Sequence, residues 1–275
     1  EISYHNNMHG QHVSWQSSFS HEHPEYAVLD RNGSTRQWGV LCLAYEEVRK
    51  YFVKLYLELL DEYDFDGLFV CFRSQSKPAE FADQFNFNEP VRRDFQKIYG
   101  KDILKDDFNL QDWRDLVGKY ITDFLRVLKN ELRKKNRSLS IGLARGDVIG
   151  PPLGNTTLQW REWIQDGLVD NLIINQSSCQ CPSIHHKLWP MHNGSGYVQN
   201  YLDSCNLPPI EKHLNESYFP IVSKSSANLY VARQWNQRSE KEEMELLNNP
   251  SVSGLVFSSF RFDNLGPLAR NNWVA

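Results

Sequence analysis

Short apolar runs alternate with longer stretches whose apolar residues recur every three or four positions, and the alternation continues along the chain. The short runs predict strands over residues 2–6, 67–72, 139–144, 171–175, 219–223 and 254–258. Between them, Val48, Tyr51, Phe52, Leu55, Leu59 and Leu60 form one helical stripe, and Trp113, Leu116, Val117, Tyr120, Ile121, Phe124 and Leu128 form another. Both stripes predict helices packed on the outside of a sheet. Strand–helix alternation of this kind implies parallel strands joined by crossover helices. The punctuation agrees with it: Asn88 before Glu89-Pro90 predicts a helix start, Ser239 with Glu242 a capping box, and Gly100 and Gly167 helix ends. Residues 26–30 and 39–42 flank Arg31-Asn32-Gly33-Ser34, which predicts a hairpin inside an excursion at about residues 10–45.

Composition narrows the class. With 275 residues, 40% of them hydrophobic, the chain can bury one large core, so 1–275 reads as a single domain. A net charge of −4 without a long basic run argues against nucleic acid as a partner. No apolar stretch reaches the roughly 20 residues of a membrane span. The start, Glu1-Ile2-Ser3-Tyr4, resembles neither a signal peptide nor an initiating methionine, so a processed or truncated piece is expected. Cys42 and Cys71 lie in apolar runs as small hydrophobes, while Cys179, Cys181 and Cys205 leave room for one bridge. Sequons begin at Asn32, Asn136, Asn155, Asn175, Asn193 and Asn215, which in an asparagine-rich chain establishes neither secretion nor glycosylation.

Taken in order, His23-Pro24-Glu25-Tyr26, Glu47-Val48-Arg49-Lys50-Tyr51, Tyr63-x-x-Asp66-Gly67-Leu68, Trp113-Arg114 and Asp166-Gly167-Leu168-Val169-Asp170 resemble the family-10 glycosyl-hydrolase-like proteins. The resemblance implies a (β/α)8 TIM-type barrel acting on carbohydrate, with no cofactor. It places residues 2–6 at the third barrel strand. Six strands are then present, and the first two βα units are missing, to be supplied by an amino-terminal segment or a second chain. Barrel-type sugar hydrolases often carry Asp-Gly-x-x-x-Asp-x-Glu at the strand that begins here with Asp66-Gly67. This chain offers Cys71 and Arg73 at the two acidic positions.

In a barrel, the strand carboxyl ends and the loops after them form the active face. The expected strands deliver His5, Asn7 and His9, then Arg73 and Gln75, Arg145 and Asp147, Asn175 and Gln176, Lys224, and Arg261. Arg73, Arg145, Lys224 and Arg261 converging on one mouth would suit a carboxylate or sulfate group, unless each pairs with a nearby acid such as Asp147. Glycosidic hydrolysis needs two facing carboxyl groups. Asp147 is expected to work with Glu80, Asp83 or Glu89 from the loop after Arg73. Asn88-Glu89-Pro90 also matches a tripeptide that carries the acid/base in many retaining barrel glycosidases, although a capped helix start is the simpler reading. Trp15, Trp189 and Trp235 fall in expected loops and suit pyranose stacking, whereas Trp113, Trp160 and Trp163 lie on helix faces as core. Histidine pairs such as His9 with His12 and His185 with His186 complete no zinc signature, so no metal is expected.

The expectation is a glycoside hydrolase acting outside the cytoplasm on a polysaccharide or oligosaccharide bearing anionic groups. Cys71 and Arg73 support the alternative, a carbohydrate-binding barrel without catalysis. A structural or assembly subunit is a third reading.

Overall fold

The computed structural model describes residues 17–72, 83–143, 145–149, 156–175, 208–233 and 240–257. From Ser18 the order is α1 (Ser18–Glu22), β1 (Ala27–Leu29), β2 (Arg36–Leu41), α2 (Glu46–Glu62), β3 (Gly67–Phe72), α3 (Glu89–Tyr99), α4 (Leu110–Lys134), β4 (Ser138–Leu143), α5 (Trp160–Gln165) and β5 (Asn171–Ile174). Then α6 (Ile210–His213) runs through a π-helical turn (Leu214–Tyr218) into α7 (Phe219–Val222), followed by β6 (Asn228–Arg233), α8 (Glu240–Leu247) and β7 (Gly254–Phe257). Strands β3 to β7 form one sheet in chain order, every neighbouring pair parallel. No helix among the described residues is long and apolar enough to cross a membrane.

Side-chain alternation sorts the sheet into two faces. Leu68, Val70 and Phe72 of β3, Leu139, Ile141 and Leu143 of β4, Leu172 and Ile174 of β5, Leu229 and Val231 of β6 and Leu255 of β7 enter one core with the helices. Both predicted stripes meet this core, with Phe124 of α4 against Phe52 and Tyr56 of α2. The opposite face carries Phe69, Ser140, Asn171, Asn228 and Tyr230. Across it Asn228 donates to Asn171 at 3.0 Å, and Asn171 to Ser140 at 2.9 Å. Parallel sheets are normally covered on both faces. Here Phe69 stays 45% exposed, while Ile173 and Ala232, toward the carboxyl ends of the same face, are buried.

Two glycines set how closely elements approach. A Cβ on Gly67 would lie 2.1 Å from the Ser138 hydroxyl oxygen and 2.5 Å from its carbonyl oxygen, so the Asp66-Gly67 pair lets β3 lie against the start of β4. A Cβ on Gly118 would lie 2.0 Å from the Thr157 carbonyl oxygen, which lets α4 seat the segment before α5. Lys129 of α4, nearly buried, pairs with Asp170, whose carboxylate also accepts from the Leu139 amide at 2.6 Å. One carboxylate thereby ties α4 to the starts of β4 and β5.

The predicted hairpin is present: β1 and β2 pair antiparallel around the Asp30 turn. It is seated rather than loose, because Val28, Val40, Cys42, Phe85, Phe87, Phe95 and Trp113 share a second buried cluster. Asn88 fixes it further. Its side chain accepts from the Leu29 amide at 3.0 Å and donates to the Ala27 carbonyl at 2.9 Å. The helix starts at Glu89 as expected, yet Asn88 spends its side chain on the hairpin and makes no side-chain cap bond.

The expected strand over 219–223 is a correction: those residues are helical, and the strand is β6. Pro220 lacks the N–H that a strand paired on both sides must donate, while it fits the first turn of a helix. Expectations over 2–6, on Ser239, and on His9, His12, His185 and His186 lie outside the described residues.

Candidate functional site

The carboxyl ends of β4, β5 and β6 meet at one rim. Beyond β4 the chain passes Arg145, Gly146 and Asp147. The Leu158 amide donates to the Asp147 carbonyl at 2.8 Å, and Ile149 to Thr156 at 3.1 Å, so the segment leading into α5 braces this turn. Oδ1 of Asp147 accepts from Trp160 Nε1 at 2.8 Å and from Arg161 at 2.9 Å. Trp160 is fully buried, and the Arg161 guanidinium lies 4.3 Å from the centre of its ring. Both bonds land on one oxygen of a side chain that is 46% exposed, so the other oxygen is the one left to meet water or a ligand.

Behind Asp147 stand Trp160 and Tyr218, their rings stacked at 4.6 Å. The Gly146 amide donates to the Tyr218 hydroxyl at 3.2 Å. Burial pushes the Tyr218 phenol up to about 12, so it stays neutral. His213 meets Tyr218 edge-on at 5.1 Å, with its Nδ1 buried and unpartnered among the described residues. Burial, then the Arg145 guanidinium, holds the His213 ring below the usual histidine value.

Arg145 donates to the Pro208 carbonyl at 2.7 Å and also lines a cleft of about 500 Å³ with Asn175, Ile210, Glu211, Arg233 and Glu242. Asn175 sits in left-handed backbone at φ 65° and donates to the Ala232 carbonyl at 2.9 Å, so the sequon asparagine is a structural tie. Arg233, 2% exposed, pairs with Glu242 and lies 3.9 Å from Glu243. It continues the helix-facing series Leu229, Val231, Arg233, as Arg145 does after Leu139, Ile141, Leu143. The cleft therefore opens on the helix side of the rim.

Of the residues named from sequence, Arg145 and Asp147 come together here. Asp83 is 9% exposed and pairs with Arg114 at 2.5 Å. Glu89 is 68% exposed, lies 3.7 Å from Arg93 and faces a separate groove of about 600 Å³ between α2, α3 and α4. Lys224 is a second correction: it follows α7 in the turn before β6, at the amino end of the sheet, because residues 219–223 form no strand. His5, Asn7, His9, Trp15, Arg73, Gln75, Glu80, Gln176, Trp189, Trp235 and Arg261 lie outside the described residues.

His213, Tyr218, Arg233 and Glu242 were missed. The signal for Arg233 lies in Leu229-Tyr230-Val231-Ala232, an apolar run ending in a charge, which competes with the equally apolar run containing Pro220. Nothing in the sequence marks His213, which becomes chemical only when α6 brings it against Tyr218. Trp113, Trp160 and Trp163 are buried as expected, and Trp160 additionally serves as a donor to Asp147.

No family model matches the chain. Laccase-2 of Podospora anserina is 34% identical over 67 residues, a segment that covers 24% of this chain and 10% of the laccase. Among solved structures, the PgaB (BpsB) glycoside hydrolase domain from Bordetella bronchiseptica aligns with a TM-score of 0.52 at 11% identity, covering 90% of this chain and 68% of that domain. A beta-galactosidase from Marinomonas ef1 covers 58% of this chain and 29% of its own at 12% identity, with a TM-score of 0.38. The TM-score of the latter is too low to bear on the fold. The parallel sheet with its helices, and the alignment to the PgaB domain, make this an α/β protein with a glycoside-hydrolase-like fold.

Proposed function

We propose that this protein is a glycoside hydrolase acting on a polysaccharide or oligosaccharide outside the cytoplasm, and that it is related to the family-10-like proteins. The observation that carries the reading is the anchored Asp147 beside a polar cleft at the carboxyl ends of β4 to β6, on a fold shared with a glycoside hydrolase domain. In α/β sheets of this kind, ligands bind at the strand carboxyl ends.

Asp147 is assigned to the reacting bond, as the base that activates water or as the nucleophile. Its partner must protonate the leaving oxygen. Glu211 stands at the adjoining cleft, whereas Glu242 is held by Arg233, Asp83 by Arg114 and Glu89 by Arg93. A separation of roughly 6.5–9.5 Å between the two working carboxyl groups would give inversion, and about 5 Å retention. Arg145 favours a substrate carrying carboxylate or sulfate. The exposure of Phe69 on the face turned from the helices supports closure of a (β/α)8 barrel by further strands.

Cys71 on β3, where barrel hydrolases often carry an acid, favours a second reading: a barrel that binds carbohydrate without cutting it. Incubation with neutral and uronic-acid-bearing oligosaccharides, with products followed by mass spectrometry, decides between them. The hydrolase reading expects shorter saccharides from wild type and none from Asp147→Asn. Binding without products from wild type would leave the non-catalytic barrel.

A further inference from the structure

The Asp147 site has a neighbour that the hydrolase reading does not use. His213 closes the first turn of the α6 segment, and its ring meets the edge of Tyr218 at 5.1 Å. Tyr218 stacks on Trp160, and Trp160 donates to Asp147, so one contiguous set of rings joins the imidazole to the carboxylate. The charged groups facing His213 are Arg145, Asp147 and Arg161 from the far side of the rim and Glu216 from its own segment.

The state of the ring follows from its surroundings. Nδ1 is buried with no partner among the described residues. A proton there would strand a buried N–H, which costs about 1–3 kcal/mol, so the neutral form carrying its proton on Nε2 is favoured. Two nearby arginines act in the same direction, against a cationic ring. A neutral imidazole with its one N–H on Nε2 suits a sugar hydroxyl or ring oxygen, because it offers a directed bond without competing for the carboxylate of Asp147.

We propose that His213 is a sugar-binding residue of the Asp147 site, donating its Nε2–H to an oxygen of the saccharide held against Asp147 and thereby setting which unit lies at the reacting bond. This rests on the hydrolase reading and deepens it. Asp147 and His213 would then contact the saccharide from either side of the buried Trp160–Tyr218 pair.

Two substitutions separate a donor from a packing role. Glutamine places an N–H where Nε2 stands, and asparagine places one where Nδ1 stands. The probes are neutral and uronic-acid-bearing oligosaccharides of about four to six units, measured by calorimetry on the full chain, with thermal unfolding alongside. If wild type binds, His213→Gln should stay within about threefold of its affinity and His213→Asn should lose about tenfold, the worth of one hydrogen bond. Nitrogen-detected NMR of the unliganded protein should show a neutral ring protonated on Nε2. Equal binding by wild type and both variants, equal losses that track lowered unfolding temperatures, or a proton on Nδ1 would overturn the proposal and leave the hydrolase reading standing. Absence of binding by wild type to every probe would instead remove the reading beneath it.

Discussion

Replacing Gly118 by alanine sets two effects against each other. Gly118 lies within α4, where alanine is worth about 1 kcal/mol over glycine in helix propensity. Its new Cβ, however, would sit 2.0 Å from the Thr157 carbonyl oxygen, when contacts under 3.0 Å are essentially never made, so about 1 Å of movement is required. The obstacle is backbone, and it is braced: the Thr157 hydroxyl bonds Asp115 at 2.5 Å and Gln111 at 2.9 Å, and the Thr157 amide donates to the Arg114 carbonyl at 3.3 Å. Overpacking of this kind costs about 1–3 kcal/mol, and each displaced hydrogen bond adds about 1 kcal/mol. The clash wins, with an expected net loss of about 1–3 kcal/mol in urea unfolding. Because Leu158 and Thr156 brace the turn that carries Asp147, ligand affinity at the rim should fall as well. A Gly118→Ala protein more stable than wild type would show that α4 does not approach Thr157 this closely, and would refute the reasoning.

Asn88→Ala should cost about 1–2 kcal/mol in the same assay, since it strands the Leu29 amide and leaves the Ala27 carbonyl with Arg36 as its remaining side-chain donor; a loss under about 0.5 kcal/mol would contradict the pinning role. Arg233→Met leaves Glu243, 5% exposed, without its nearby guanidinium and should cost about 3–5 kcal/mol, whereas Arg233→Met with Glu243→Leu should recover most of it. Burial pushes the Cys42 thiol up to about 12, so a thiol reagent should label it only on unfolding; rapid labelling of the native protein at neutral pH would contradict its place in the core. His213 titrates lower in the folded protein than its ordinary value near 6.5, so its contribution is complete above that value and is lost as pH falls through it. His213→Gln should therefore flatten the acid side of the stability profile, and an unchanged slope would count against the buried neutral ring.

The alternation of strands and helices was legible because burial imposes a period. The α4 stripe from Trp113 to Leu128 and the run from Gly67 to Phe72 are written directly into residue type. Strand β6 was lost because Phe219-Pro220-Ile221-Val222 is as apolar as Leu229-Tyr230-Val231-Ala232, and only proline's missing N–H separates them. That Asp147 follows the end of β4 was legible, because the strand before it could be read from its apolar run. Asp83 and Glu89 looked equivalent to it by the same rule, yet Asp83 meets Arg114, 31 positions away, only in the fold, while Glu89 pairs locally with Arg93 one helical turn on. The ring set of Trp160, Tyr218 and His213 is wholly tertiary, so no local pattern announces it.

The central claim is that a saccharide occupies the rim made by the ends of β4 to β6. The most direct measurement is a crystal structure of Asp147→Asn, which should bind without cutting, soaked with the oligosaccharide that wild type binds most tightly. The sugar is expected within hydrogen-bond reach of position 147 and Arg145. A sugar seated instead on the sheet face that carries Phe69 and Tyr230, away from Asp147, would contradict the account.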